Sequence, residues 1–283
     1  MKRLLGMVLL SAAATLWFWS AAPGSADHAS VTAYPIQKAQ VCYDVDRGDD
    51  VKVDVVLDTK TYEKDEVQVR RLVMMCELST ISTFKIPMGP FLWVPHNPPT
   101  VSDTSIFACY TLRGGDDAGM GAILKTPSFG EDKVIVGNSN LMCESAKKHV
   151  INPDDTKSTY GVATNTIWQC FKIGNSDIPP LAVSFANNNF GADVVTTGKG
   201  IELCEEGVKY RDINGQLEVT GFANGVAHEC FEVTGWAEDE KLPVVLETDN
   251  FGRDEVLIRK ATQICQLADK GDFHIVQVSP VRP

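Results

Sequence analysis

Eight cysteines are the most conspicuous source of chemistry in this chain, and their spacing is regular. Cys42 and Cys76 are 34 residues apart, as are Cys109 and Cys143, and Cys170 and Cys204; Cys230 and Cys265 are 35 apart. A cysteine can act as a nucleophile, a metal ligand or half of a disulfide. A catalytic cysteine is usually a single exposed thiolate beside a histidine. These cysteines instead sit in equivalent strand-like stretches such as "WQCFKI" (Trp168 to Ile173), and His28, His96, His149, His228 and His274 share no common position. Zinc sites use close pairs such as C-x-x-C, and the sequence has none. An even count in an exported chain predicts disulfides. Pairing within each spacing (Cys42–Cys76, Cys109–Cys143, Cys170–Cys204, Cys230–Cys265) is the simplest arrangement. Each loop so closed would stabilise its unit by roughly 3–4 kcal/mol on the chain-entropy model.

Carboxylates are the second source. "DVDRGDD" (Asp44 to Asp50) clusters oxygens of the kind calcium takes, but it lacks the EF-hand spacing and the closing glutamate. The corresponding places hold "TLRGGDDAG", "KIGNSDIPP" and "EVTGWAEDEK", which read as hairpin connections of varied chemistry. The tripeptide Arg47-Gly48-Asp49 lies in the same turn and is too common in turns to carry weight. Asp65, Asp132, Asp193 and Asp254 occupy equivalent positions. They could ligate calcium, yet one carboxylate per unit falls short of the roughly six oxygens that calcium needs. Hydrogen bonding to nearby backbone N–H groups is the favoured role. No cofactor and no metal ligand is therefore expected, calcium being the one ion the pattern leaves open.

No G-x-S-x-G, H-E-x-x-H, Walker or dinucleotide fingerprint is present, and "TTGKGIE" (Thr196 to Glu202) lacks the Walker spacing. No catalytic residue is assigned. Carboxylates brought together from distant parts of the chain remain compatible with a glycosidase. A separate candidate is "FKIPMGPFLWVPHNPP" (Phe84 to Pro99), whose prolines bar helix and central strand. It reads as an apolar crossover packed on a sheet. The competing reading is an exposed binding loop presenting Phe91, Leu92 and Trp93.

The elements that position these residues form an internal repeat. Each first cysteine is followed by an aromatic and then an aliphatic: Cys42-Tyr43-Asp44-Val45, Cys109-Tyr110-Thr111-Leu112, Cys170-Phe171-Lys172-Ile173 and Cys230-Phe231-Glu232-Val233. A turn and an apolar stretch ending at Leu57, Leu124, Phe185 and Leu246 come next. Tyr62, Phe129, Phe190 and Phe251 then align, with Gly130, Gly191 and Gly252 after the last three and Glu63 in the first. The aspartates follow, then Val67, Val134, Val195 and Val256, then the second cysteine. Lys148, Lys209 and Lys270 align beyond it, with Ile81 in the first copy. β-Branched and aromatic runs between Gly, Asp and Asn turns indicate strands, and "VKVDVVL" (Val51 to Leu57) and "EVLIR" (Glu255 to Arg259) alternate with period two. The expected fold is all-β: four tandem repeats of about 60 residues, each with about three short strands and one disulfide. "ESAKK" (Glu144 to Lys148) and "QLADK" (Gln266 to Lys270) read as helical turns after the second cysteine.

The expected organisation is a signal peptide over 1–26 and a divergent first repeat over 35–82. A Pro-rich connection at 83–100 precedes repeats at 101–155, 160–215 and 221–279. Lys2 and Arg3, the apolar run from Leu4 to about Ala22 and the small residues Gly24-Ser25-Ala26 have the layout of a secretory signal. The net charge of −11 argues against nucleic acid and anionic lipid as partners. A secreted, periplasmic or extracellular location follows, without membrane insertion after signal cleavage.

The motif C-[YF]-x-[VIL], the aromatic-Gly corner, and L-C or M-C followed by a lysine are clearest around "CFKI", "NNFG" and "LCEEGVK". Over about residues 40–272 the chain resembles the tandem cysteine-paired repeats of a domain of unknown function in secreted bacterial and archaeal proteins. The resemblance implies an extracytoplasmic β-rich module and no particular activity. The expected function is a non-enzymatic binding or structural module contacting a protein or glycan partner. The alternative is a secreted carbohydrate-active hydrolase with carboxylates from different repeats.

Overall fold

The computed structural model describes residues 36–62, 64–84, 105–151, 157–187, 190–235 and 239–273, and it is all-β. In chain order the strands are β1 (Gln37–Asp46), β2 (Asp50–Thr59), β3 (Asp65–Phe84), β4 (Ile106–Arg113), β5 (Asp117–Thr126), β6 (Gly130–Ile151) and β7 (Lys157–Tyr160). They continue as β8 (Ile167–Gly174), β9 (Leu181–Asn187), β10 (Gly191–Ile213), β11 (Gln216–Gly221), β12 (Ala227–Val233), β13 (Leu242–Thr248) and β14 (Gly252–Phe273). The three strands expected around each cysteine pair are β1–β3, β4–β6, β8–β10 and β12–β14. β7 and β11 are additions.

Eight of these strands close a circuit. β1 pairs with β3, β3 with β4, β4 with β6, β6 with β8, β8 with β10, β10 with β12, β12 with β14, and β14 returns to β1, always antiparallel. Closure removes the free edges that an open sheet would present. Each strand of the circuit contributes one cysteine. The pairs Cys42–Cys76, Cys109–Cys143, Cys170–Cys204 and Cys230–Cys265 are disulfides with Cα atoms 3.9–4.0 Å apart. Neighbouring disulfides also touch: Cys42 Sγ lies 3.8 Å from Cys265 Sγ, Cys76 Sγ 3.7 Å from Cys109 Sγ, and Cys204 Sγ 3.8 Å from Cys230 Sγ.

All the cysteines share one buried cluster with Met74, Phe107, Leu141 and Trp168. Two residues from the sulfurs, Trp168 stacks between Phe107 (4.1 Å) and His228 (4.2 Å). Burial pushes the His228 imidazole down to about 4, so it is neutral at ordinary pH. The alternate residues of the same strands, among them Val41, Tyr43, Met75, Tyr110, Met142, Phe231 and Ile264, form a second core on the opposite face. With both faces covered, these stretches read as continuous apolar runs rather than alternating ones.

The long strands β3, β6, β10 and β14 have 20, 22, 23 and 22 residues, far beyond the usual 3–10. Each is divided by bulges, marked by register shifts around Leu72, Ser139, Gly200 and Ala261. Before the bulge the strand pairs with the hairpin strand preceding it: β2, β5, β9 or β13. Beyond the cysteine its end crosses to a more distant hairpin, so β3 ends on β9, β6 on β13, β10 on β2 and β14 on β5. These crossings correct one expectation. "ESAKK" and "QLADK" are strand, not helical turns, because their backbone groups complete the ladders to β13 and β5.

Candidate binding face

The recurring polar residues join one quarter of the chain to another. Lys148 meets Glu77 at 2.6 Å and Lys209 meets Glu144 at 3.1 Å, while Lys270 pairs with Glu205, and all six side chains are buried or nearly so. For Lys148, Lys209 and Glu144 burial outweighs pairing. It pushes the Lys148 and Lys209 ammonium groups below, and the Glu144 carboxyl above, their ordinary values. Glu144 also accepts hydrogen bonds from the Asn250 backbone and side chain, and Glu205 accepts one from Thr61 Oγ1 at 3.1 Å.

The aromatic corners are fixed by a shared hydrogen bond. The backbone N–H groups of Tyr62, Phe129, Phe190 and Phe251 donate to the side chains of Thr59, Thr126, Asn187 and Thr248. Gly130, Gly191 and Gly252 follow at φ 93°, 76° and 78°, a left-handed conformation that suits glycine. Each corner ring packs on the aromatic beside a remote cysteine: Phe190 on Tyr43, Tyr62 on Phe171, Phe251 on Tyr110 and Phe129 on Phe231. Lys148, Lys209 and Lys270 lie 4.5, 4.7 and 4.5 Å above the rings of Phe190, Phe251 and Tyr62.

Three of the four aligned aspartates bond backbone N–H groups in a neighbouring loop rather than in their own turn, whereas Asp193 accepts from the adjacent Val194 N–H. Asp65 accepts from Asp116 N, Asp132 from Asp177 N and Asp254 from Asp49 N. Asp65 also receives Ser139 Oγ and Gln169 Nε2. At the matching place beside Asp132 stands Glu229, wholly buried. Desolvation first, then the adjacent Asp132, pushes the Glu229 carboxyl up to about 9. Neither Glu229 oxygen nor Asp132 Oδ2 has another hydrogen-bond partner among the described residues, so a proton retained on Glu229 supplies a donor to Asp132 Oδ2.

Other sequence-level candidates fall as follows. In the Asp44–Asp50 stretch, Asp50 binds Arg70 at 2.6 Å, Asp46 pairs with Arg259 and Asp44 accepts from Thr262. These carboxylates are turned to separate partners. Gly48 of the Arg47-Gly48-Asp49 tripeptide is wedged so closely that a Cβ there would lie 2.0 Å from Leu72 O. Glu202, Cys204 and Cys230 approach one another, but both cysteines are disulfide-bonded and offer no thiolate to a metal. Phe91, Leu92 and Trp93 lie outside the described residues, as does the signal-like leader.

One surface departs from the shared pattern. β10 runs on to Ile213, turns at Asn214-Gly215 (φ 55° and 82°) and returns as β11. That is the two-residue Asn-Gly hairpin turn. β3, β2, β10 and β11 therefore form a continuous outer sheet, with Glu66, Val56, Tyr210 and Val219 side by side across it. A groove of about 690 Å³ runs along this face, lined by Asp54, Glu66, Gln68, Arg113, Tyr210, Asp212 and Leu217. Lys64 Nζ stands 5.1 Å from the Tyr210 ring. Leu217, Val219 and the following Phe222 are 67%, 55% and 62% exposed. The Asn-Gly dipeptide between alternating residues was the sequence signal for this hairpin. Comparison with protein-family models, curated proteins and solved structures gives no match.

Proposed function

We propose that this chain is an exported, non-enzymatic scaffold that binds a protein or glycan partner on the outer face of the β3–β2–β10–β11 sheet. The observation that carries the reading is a division of labour among side chains. The cysteines, lysines, glutamates, aspartates and corner aromatics that recur along the chain are spent on holding its parts together. The groove face, in contrast, occurs where β11 extends the sheet, and it leaves apolar and charged groups open to solvent. Four buried disulfides suit an oxidising compartment, in keeping with the signal-like leader.

A secreted carbohydrate-active hydrolase is the second reading, favoured by one feature. Asp54 and Glu66 from the β2–β3 hairpin share the groove with Asp212 from β10, so carboxylates from distant parts of the chain do line one cleft. Glycan arrays and chromogenic glycosides applied to the purified protein separate the two. The scaffold reading expects retention without turnover. Turnover that disappears in Glu66→Gln or Asp212→Asn would replace it with the hydrolase.

A further inference from the structure

We infer that the free edge of β11 takes up an extended polypeptide segment of alternating apolar and basic residues, which joins the sheet as an added strand. This rests on the scaffold reading and specifies the chemistry of the partner.

Among the described residues β11 pairs with β10 alone, and its other edge carries backbone groups with no ladder to any of them. The turn decides which groups these are. A two-residue turn at Asn214-Gly215 makes Ile213 and Gln216 the first hydrogen-bonded pair, and Arg211 with Glu218 the next. Asp212 with Leu217 and Tyr210 with Val219 are the intervening pairs. Leu217 and Val219 therefore aim their own N–H and C=O groups away from β10, into the open edge.

Side chains supply the preference. Leu217 and Val219 stand on the groove face, while Glu218 between them points to the opposite face. A strand laid beside β11 meets two apolar side chains on one face and a carboxylate on the other. Asp212, across from Leu217, and the net charge of −11 add to the attraction for a basic partner. Natural edges are commonly blunted by lysine, proline or a bulge, and "QLEVTG" has none of these. Strand addition of this kind draws affinity from main-chain hydrogen bonds and specificity from alternate side chains.

The test is fluorescence anisotropy of the full chain with a labelled peptide of alternating valine and lysine. The same peptide N-methylated at every valine serves as a control that lacks the N–H donors on the edge facing β11. Wild type should bind the first peptide at least tenfold more tightly than the second. Val219→Pro removes an outward N–H that the hairpin does not use, and should weaken binding at least tenfold with circular dichroism unchanged. Val219→Thr keeps the N–H and should retain most of the affinity. Equal binding by the proline variant, equal binding of both peptides, or no binding by wild type would each overturn the proposal. Concentration-dependent dimerisation lost in Val219→Pro would give the edge to a second copy of the chain and overturn it as well. Glycoside turnover would sink the scaffold reading separately, whatever the peptides do.

Discussion

Lys148 Nζ lies 2.6 Å from Glu77 Oε2, and both side chains are shut away from solvent. The lysine comes from beyond the second cysteine pair's closing residue, the glutamate from beyond the first pair's. The same step is repeated by Lys209 with Glu144 and by Lys270 with Glu205. Continued once more, the rule would set Ile81 against Gln266. The place that lacks the lysine is thus matched with the place that lacks the glutamate, so the circuit closes without a stranded buried charge. Removing one partner of a buried pair costs about 3–5 kcal/mol. Lys148→Ile alone should fall in that range by urea unfolding with disulfides intact. Lys148→Ile combined with Glu77→Gln, which copies the neutral combination, should recover most of the loss. A double variant no more stable than the single one would show that the charges are not what couples these positions.

Two glycines should fail for different reasons. Gly191 has φ 76° and open space where a Cβ would go, so Gly191→Ala should cost about 1 kcal/mol through the backbone alone. Gly48 has no such φ, yet its Cβ would lie 2.0 Å from Leu72 O, a backbone atom that cannot swing aside. Gly48→Ala should therefore lower the melting temperature far more than Gly191→Ala. The reverse order would contradict the packing of that loop. Phe190 is partly buried against the core, its ring tilted against Tyr43 with centroids 4.4 Å apart. Phe190→Ala should cost about 2–3 kcal/mol, below the range for a fully enclosed ring.

Much of this architecture was legible because repetition exposes position. The cysteine pairs, the strands flanking them and the corner glycines Gly130, Gly191 and Gly252 are marked by recurring residue types. What stayed hidden depends on contacts distant in sequence. Nothing local to "ESAKK" reveals that Glu144 and Lys148 line one side of a strand paired to β13, since those residue types also favour helix. Gly48 reads locally as an ordinary turn glycine, and its constraint comes from Leu72 O, remote in sequence. Tyr210, Asp54 and Glu66 belong to no motif, and they share a face because β2 happens to lie between β3 and β10.

Sulfur neighbours make the disulfide pattern a sharper test than the spacing alone would. Cys76 lies close to Cys109, Cys204 to Cys230 and Cys42 to Cys265, so a shifted set of bonds is within easy reach of the same ring. Peptide mapping of unreduced protein should find Cys42–Cys76, Cys109–Cys143, Cys170–Cys204 and Cys230–Cys265, with no alkylation of the denatured chain. Replacing Cys170 and Cys204 together by alanine should cost about 2–5 kcal/mol. Recovery of Cys76–Cys109 or Cys204–Cys230 peptides would mean that the native bonds run between the units rather than within them.

Glu229 gives the pH dependence its clearest sign. Its carboxyl is pushed up to about 9 in the folded protein by burial and by Asp132, whereas an unfolded chain holds it near its ordinary 4.5. Below that ordinary value both states are protonated and the group takes nothing from stability. As pH rises above it the unfolded state releases the proton first, so stability falls steadily until the folded form also ionises near 9. Glu229→Gln keeps the size and the hydrogen-bond donor toward Asp132 Oδ2 but cannot ionise. The variant should match wild type at pH 4 and exceed it at pH 8 by a few kcal/mol, reading chemical denaturation at each pH. A stability difference that stays flat between those two pH values would mean that Glu229 is already ionised in the folded protein. The Asp132–Glu229 contact would then be a repulsion held in place by the circuit rather than a shared proton.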